Sequence, residues 1–222
     1  MHRTRALRLS ATALTAAALL AGCGTSGASG AHHESDKPAA ISAASDSAYR
    51  GTALDPGFAK PDLVLTDATG KPFDLRRQTS GKATLVFFGY TNCPDVCPTT
   101  MGDISAALAQ QPQSVRDNIE IAFVTTDPER DTPKSLGKWL TAFGENFTGL
   151  SGDLAKVKKA ALGVGTSVED PTKHHDGTVT SDHGAQVIAF TPSDDKGRVV
   201  YTSGTTVDDF AHDLPLLAKN AR

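Results

Sequence analysis

Two apolar runs, K82-A-T-L-V-F-F-G-Y90 and I119-E-I-A-F-V-T-T126, constrain what this chain can fold into more than any other feature. Neither alternates apolar with polar residues, as a strand with one wet face would. Near-continuous runs of this kind are expected of strands buried on both faces, with helices packed above and below. Helical spacing supplies the candidates. Met101, Ile104, Ser105 and Leu108 follow Pro98, and Leu136, Trp139, Leu140 and Phe143 follow a Thr132 N-cap with Pro133 at the first helical position. D153-L-A-K-V-K-K-A-A-L162 reads as a short helix closed by Gly163. Thr206 caps a last helix carrying Leu214, Leu216 and Leu217, and Asp209 completes an acidic capping box.

Three further stretches read as strands. Residues 61–75 alternate around D67-A-T-G70 and predict a β-hairpin, while Q186-V-I-A-F-T191 and R198-V-V-Y-T202 predict a pair joined through 192–197. This order of elements suits a small α/β sandwich of the thioredoxin-like kind, opened by an N-terminal β-hairpin and occupying 59–222.

The first 58 residues are expected to lie outside that domain. Arg3, Arg5 and Arg8 precede L9-S-A-T-A-L-T-A-A-A-L-L20, an apolar stretch of 12 that is too short to span a bilayer. It ends in L20-A-G-C23, which is similar to the lipobox of bacterial lipoproteins. Residues 1–22 are therefore expected to be a signal peptide and Cys23 a lipidated N-terminus. Residues 23–58, rich in Gly, Ala, Ser and His, are expected to form a flexible tether. The acyl chains would hold the protein on the outer face of the cytoplasmic membrane. Losing a leader with three arginines and no acids moves the formal charge from −3 to −6, which carries no electrostatic footprint for nucleic acid.

With Cys23 lipidated, two cysteines remain for chemistry, in T91-N-C-P-D-V-C-P98 at the end of the first apolar run. A residue before proline is pushed out of the α region, and that applies to both Cys93 and Cys97. Pro98 fits the first position of a helix. Cys97 is thus expected to be the N-cap, with 93–97 a stiff turn over the helix start and both sulfurs at the positive end of the helix dipole, which favours thiolate. A disulfide, a redox catalyst and a metal clamp all remain compatible with such a turn. A structural disulfide closing so short a loop would stabilise least.

A third ligand would favour a metal. Two thiolates and one imidazole form a soft set suited to copper, and Cu(I) accepts three ligands, whereas structural zinc takes four. Of seven histidines, His2 falls in the leader, His32 and His33 in the tether, and His212 on the last helix. His183 stands directly before a strand, where a thioredoxin-like layout usually sets a cis-proline beside the cysteine turn. His174 and His175 lie in a polar loop and are weaker candidates.

The trio TNCPDVCP (91–98), DPERDTP (127–133) and DHG (182–184) resembles the Sco/SenC proteins, and the likeness runs from about residue 60 to the C-terminus. These are thioredoxin-fold copper proteins required to assemble the copper-A centre of cytochrome c oxidase. The resemblance implies that Cys93, Cys97 and His183 hold copper, as Cu(I) or Cu(II), in a membrane-anchored domain outside the cytoplasm. Subunit II of the oxidase would receive the metal, and another extracytoplasmic copper chaperone is a candidate donor. The family often has serine where this chain has Gly184, a change expected to act on backbone freedom more than on ligation. Asp127 has two readings of equal weight: a turn residue, or a carboxylate lending charge or support beside the cysteine turn.

The leading expectation is a metallochaperone, not an enzyme. The alternative is a thiol–disulfide reductase in which Cys93 attacks a disulfide of the oxidase and Cys97 resolves it, keeping the copper-A cysteines reduced. A peroxidase would need Ser or Thr three residues before its cysteine; Tyr90 stands there.

Overall fold

The computed structural model of the protein describes residues 42–43 and 46–219. The expected signal peptide, Cys23, and His2, His32 and His33 lie outside the described residues. In chain order the elements are β1 (Ser42–Ala43), β2 (Thr52–Ala59), β3 (Val64–Asp67), β4 (Pro72–Asp74), α1 (Leu75–Gln78) and β5 (Ala83–Gly89). There follow α2 (Val96–Ala109), α3 (Gln113–Arg116), β6 (Ile119–Thr125), α4 (Pro133–Leu140), β7 (Phe147–Ser151) and α5 (Leu154–Gly163). The last are β8 (Thr172–Lys173), β9 (Val179–Thr180), β10 (Val187–Phe190), β11 (Lys196–Tyr201) and α6 (Val207–Ala218).

Among the described residues one sheet runs in the order β1-β2-β11-β10-β5-β6-β7-β3-β4, and β8 and β9 pair separately. The two apolar runs become its centre. Every residue of β5 is buried, and β5 lies parallel to β6. Alternate side chains point to opposite faces of a strand. Leu85 and Phe87 accordingly pack with Met101, Ile104, Leu136 and Leu214 from α2, α4 and α6, while Val86 and Phe88 pack with Val157 and Ala161 from α5. That is the expected α/β sandwich, with helices on both faces.

The helix caps follow the sequence at Thr132, which accepts from the Ser135 N–H, and at Thr206 and Asp209, which form the full capping box. Three expectations shift. The tether gives way to structure earlier than residue 58: Thr52–Ala59 is a strand paired with β11. The β3–β4 hairpin is therefore not the first element but the far edge of the sheet. Pro56 and Gly57, which read as linker residues, are tolerated because β2 lies outside the sheet's centre. Second, α5 is ended not by Gly163 but by Gly165 at φ 72. The Gly165 N–H bonds the Leu162 carbonyl and the Thr166 N–H bonds that of Ala161, a Schellman closure. Third, α2 begins before Cys97: Asp95 is the N-cap, its carbonyl accepting from the Thr99 N–H at 3.1 Å. Cys97 and Pro98 sit in the first turn, where proline's missing N–H has no intrahelical partner to lose.

Strand β7, with no counterpart in the sequence reading, completes the parallel part of the sheet beside β6. A Cβ at Gly149 would come within 2.6 Å of Leu136 and 2.7 Å of Leu140, so this glycine lets α4 lie directly on the strand.

Candidate metal centre

Strand β5 ends at Gly89, and the chain turns through 90–95 into α2. The Tyr90 carbonyl accepts from the Cys93 N–H at 3.2 Å, closing the turn. The Cys93 sulfur in turn accepts from the Cys97 N–H at 3.4 Å. Asp95 makes no side-chain capping bond, so sulfur takes part of the role a cap oxygen would have. Both cysteines are free thiols; Cys93 is half-buried and Cys97 fully buried.

His183 arrives from the opposite direction. It forms an antiparallel bridge with Val168, flanked by bonds from the Glu169 N–H to the Asp182 carbonyl (2.8 Å) and from the Gly184 N–H to the Ser167 carbonyl (2.9 Å). Nδ1 lies 3.0 Å from the Gly184 carbonyl, which can only accept; Nδ1 therefore carries the proton and Nε2 keeps a free lone pair. Nε2 is 3.5 Å from the Cys97 sulfur. The ring planes of Phe87 and Tyr90 stand nearly perpendicular to the imidazole, at 85°, with centroids at 5.8 and 5.9 Å. The donor atoms of Cys93, Cys97 and His183 all lie within 4.8 Å of one another, the one such grouping of Cys, His and acidic ligands among the described residues.

Electrostatics corrects one expectation. The helix dipole does not make Cys97 an easy thiolate. Burial pushes its thiol far up, and hydrogen bonding with Cys93 adds to the rise. Burial also lowers the imidazolium pKa of His183, which keeps the ring neutral and able to ligate. A metal cation can displace that buried proton and neutralise the thiolate as it forms, so ligation avoids leaving a bare anion in the interior. The set of two sulfurs and one nitrogen matches a soft ion of low coordination and lacks the fourth ligand of a closed zinc site.

The other candidates separate cleanly. His174 and His175 are exposed on the β8–β9 hairpin, His174 bonding Thr180 Oγ1 at 2.9 Å, and His212 pairs with Asp213 on α6. Asp127 is 2% exposed and is engaged by the Arg130 guanidinium, not by the cysteine turn. Asp131, given no site role from the sequence, is the acid that reaches that turn, through Thr91. Its signal was a second acid four residues after Asp127 at a strand end already supplied with a cap. At Gly184 the constraint comes from side-chain space more than from backbone freedom. A Cβ there would stand 2.0 Å from Thr166 Oγ1 and 2.3 Å from Gln186 Oε1, two atoms bonded to each other at 2.9 Å.

Residues 53–216 match the sequence profile of the SCO1/SenC family. Among solved structures, Bradyrhizobium japonicum ScoI with copper bound is 33% identical, with a TM-score of 0.61 over 72% of this chain and 99% of that one. Apo Sco1 of Thermus thermophilus is 30% identical, with a TM-score of 0.66 over 76% and 96%. A Stutzerimonas stutzeri relative is 29% identical across 73% of this chain and 78% of its own length. The rickettsial and yeast mitochondrial relatives are matched over less than half of theirs.

Proposed function

The chain belongs to the SCO1/SenC family, and from that premise we propose that it binds copper through Cys93, Cys97 and His183 and passes it on during oxidase assembly. Sco proteins form a family of cytochrome c oxidase assembly proteins, and the acceptor in this reading is the copper-A centre of subunit II. A lipid on Cys23 would hold the protein on the outer face of the cytoplasmic membrane, beside that acceptor. The observation that carries the reading is the meeting of two sulfurs and an unprotonated Nε2 within 4.8 Å. The half-buried Cys93 leaves one side of the group open, so an incoming thiol can displace ligands one at a time.

The test is copper titration of the full chain in detergent, comparing wild type with His183→Ala. Wild type should show intense sulfur-to-Cu(II) charge-transfer absorption. The variant should lose or shift that band, with affinity falling by at least the ~10–100-fold that removing even an outer partner of a ligand costs.

A second reading rests on the unequal burial of the cysteines. The half-buried Cys93 would attack a disulfide of the oxidase and the buried Cys97 would resolve it. If His183→Ala binds copper as tightly as wild type while cysteine variants alone abolish oxidase assembly, thiol exchange replaces copper transfer as the function.

A further inference from the structure

The segment between β6 and α4, D127-P-E-R-D131, is more heavily engaged than a helix lead-in requires. Thr132 caps α4 unaided. Yet Asp131 is fully buried, Asp127 is 2% exposed, and Arg130 is turned back across the loop. We infer that this loop is a two-sided clasp, with Asp131 gripping the segment that carries the cysteines and Arg130 the segment that carries His183.

The cysteine side is held through Thr91, two residues ahead of Cys93. Asp131 accepts from the Thr91 N–H at 2.9 Å, from the Thr91 hydroxyl at 2.5 Å and from the Thr125 hydroxyl at 2.7 Å. Three donors converge on one carboxylate, the pattern of strong, charge-assisted hydrogen bonds. The carboxylate is itself fixed: the Asp131 N–H bonds the Asp127 carbonyl, and the Asp131 carbonyl accepts from Ser151 on β7 at 2.7 Å.

The histidine side is held through Arg130. Asp127 pairs with its guanidinium, which donates to the Val179 carbonyl at 3.0 Å, four residues before His183. The same guanidinium lies 5.9 Å from the centre of the Tyr90 ring, whose plane stands nearly perpendicular to the imidazole. Just ahead of the loop, Thr126 bonds the Ser181 hydroxyl through its carbonyl (3.0 Å) and its own hydroxyl (2.7 Å). Adjacent residues of one short loop thus grip two segments some 90 positions apart in sequence. Metal-site partners of this kind orient the ligands before the ion arrives. Arg130 and Asp131 are positioning residues for the ligand group named above, and this inference rests on that reading only for its copper readout.

Thr91→Val removes the hydroxyl contact while leaving Asp131 bonded to Thr125, and Thr91→Ser restores the hydroxyl. The first measurement needs no copper. The full chain in detergent is equilibrated with glutathione, where the Cys93–Cys97 dithiol and one oxidised glutathione give the disulfide and two reduced glutathiones. The clasp is seen with both cysteines as thiols. Thr91→Val should therefore move this equilibrium away from the dithiol and toward the disulfide by about tenfold, the worth of one hydrogen bond to a charged group, and Thr91→Ser should return it to within about twofold of wild type. The second measurement is copper affinity. Arg130→Met should lower it by ~10–100-fold, and adding His183→Ala in that background should cost less than in wild type, because both changes act on one unit.

Variants that match wild type in both measurements, or a Thr91→Ser no better than Thr91→Val, would overturn the clasp. If wild type takes up no copper while Thr91→Val still shifts the glutathione equilibrium, the clasp stands on its cysteine side and the copper reading is what fails.

Discussion

Gly89 shows how closely the centre depends on single atoms. A Cβ there would lie 2.6 Å from Phe87 Cε1, 3.0 Å from the Cys97 sulfur and 3.1 Å from Phe123 Cζ, and all three neighbours are fully buried. Gly89→Ala should therefore act as an overpacked core substitution, destabilising by about 1–3 kcal/mol. It should also weaken copper uptake by displacing Cys97. Thermal melts and copper titrations on the same preparation read both effects, and a variant unchanged in each would show that the strand end has slack. Cys93, Cys97 and His183 were legible because cysteine and histidine announce their chemistry. Gly89, Gly184 and Asp131 were not, since their roles are set by atoms contributed from distant segments. The expected thiolate at Cys97 failed for a related reason: a helix N-terminus is visible in a sequence, whereas the burial that outweighs it is a property of the packed whole.

At the scale of elements, local chemistry was readable and long-range anchoring was not. The caps at Thr132 and Thr206 involve partners three residues away. Strand β2 is different, because the two residues just before it are held by a carboxylate near the opposite end of the chain. Asp213 on α6, fully buried, accepts from the N–H groups of Arg50 (2.9 Å) and Gly51 (3.0 Å) and from the Tyr201 hydroxyl (3.0 Å), with His212 Nδ1 at 2.7 Å. Nothing near Arg50 in sequence hints at this. Asp213→Asn would turn an amide NH₂ toward donors that need an acceptor, at a cost of about 1–3 kcal/mol for each buried group left unsatisfied. Amide exchange should accelerate at Gly51–Ala59 well before it does in β5. Equal protection of β2 in the variant would mean that pairing with β11, not the carboxylate, retains the strand. The missed β7 follows the same rule: Gly149 weakened its strand pattern, and the helix that explains the glycine is α4.

For the whole molecule, the register of two neighbouring strands explains why ligands so far apart in sequence meet. β10 runs antiparallel to β5 with Val187 opposite Phe87, so extending that register sets residue 183 beside residue 91, at the mouth of the cysteine turn. The sandwich could be anticipated from the two apolar runs, and with it the meeting of turn and histidine. The balance of forces across the sheet could not. Glu120, on β6, shows that balance in measurable form. Its side chain is 17% exposed, and its carboxyl accepts from the Thr148 hydroxyl at 2.5 Å and has only a long, half-exposed contact with Lys82 at 3.9 Å. Burial raises its pKa above the ordinary glutamate value, more than Thr148 and Lys82 lower it. The folded state therefore holds the proton more tightly than the unfolded chain does. The contribution of Glu120 to stability is fully present below the unfolded pKa and is lost as pH rises through the folded one. Glu120→Gln keeps an acceptor for Thr148 and gives up an exposed ion pair worth at most about 1 kcal/mol. The variant should melt above wild type at pH 7–8, and the gap should close as the pH is lowered toward 4. A difference in melting temperature that stays constant across that range would show that ionisation of Glu120 does not oppose folding.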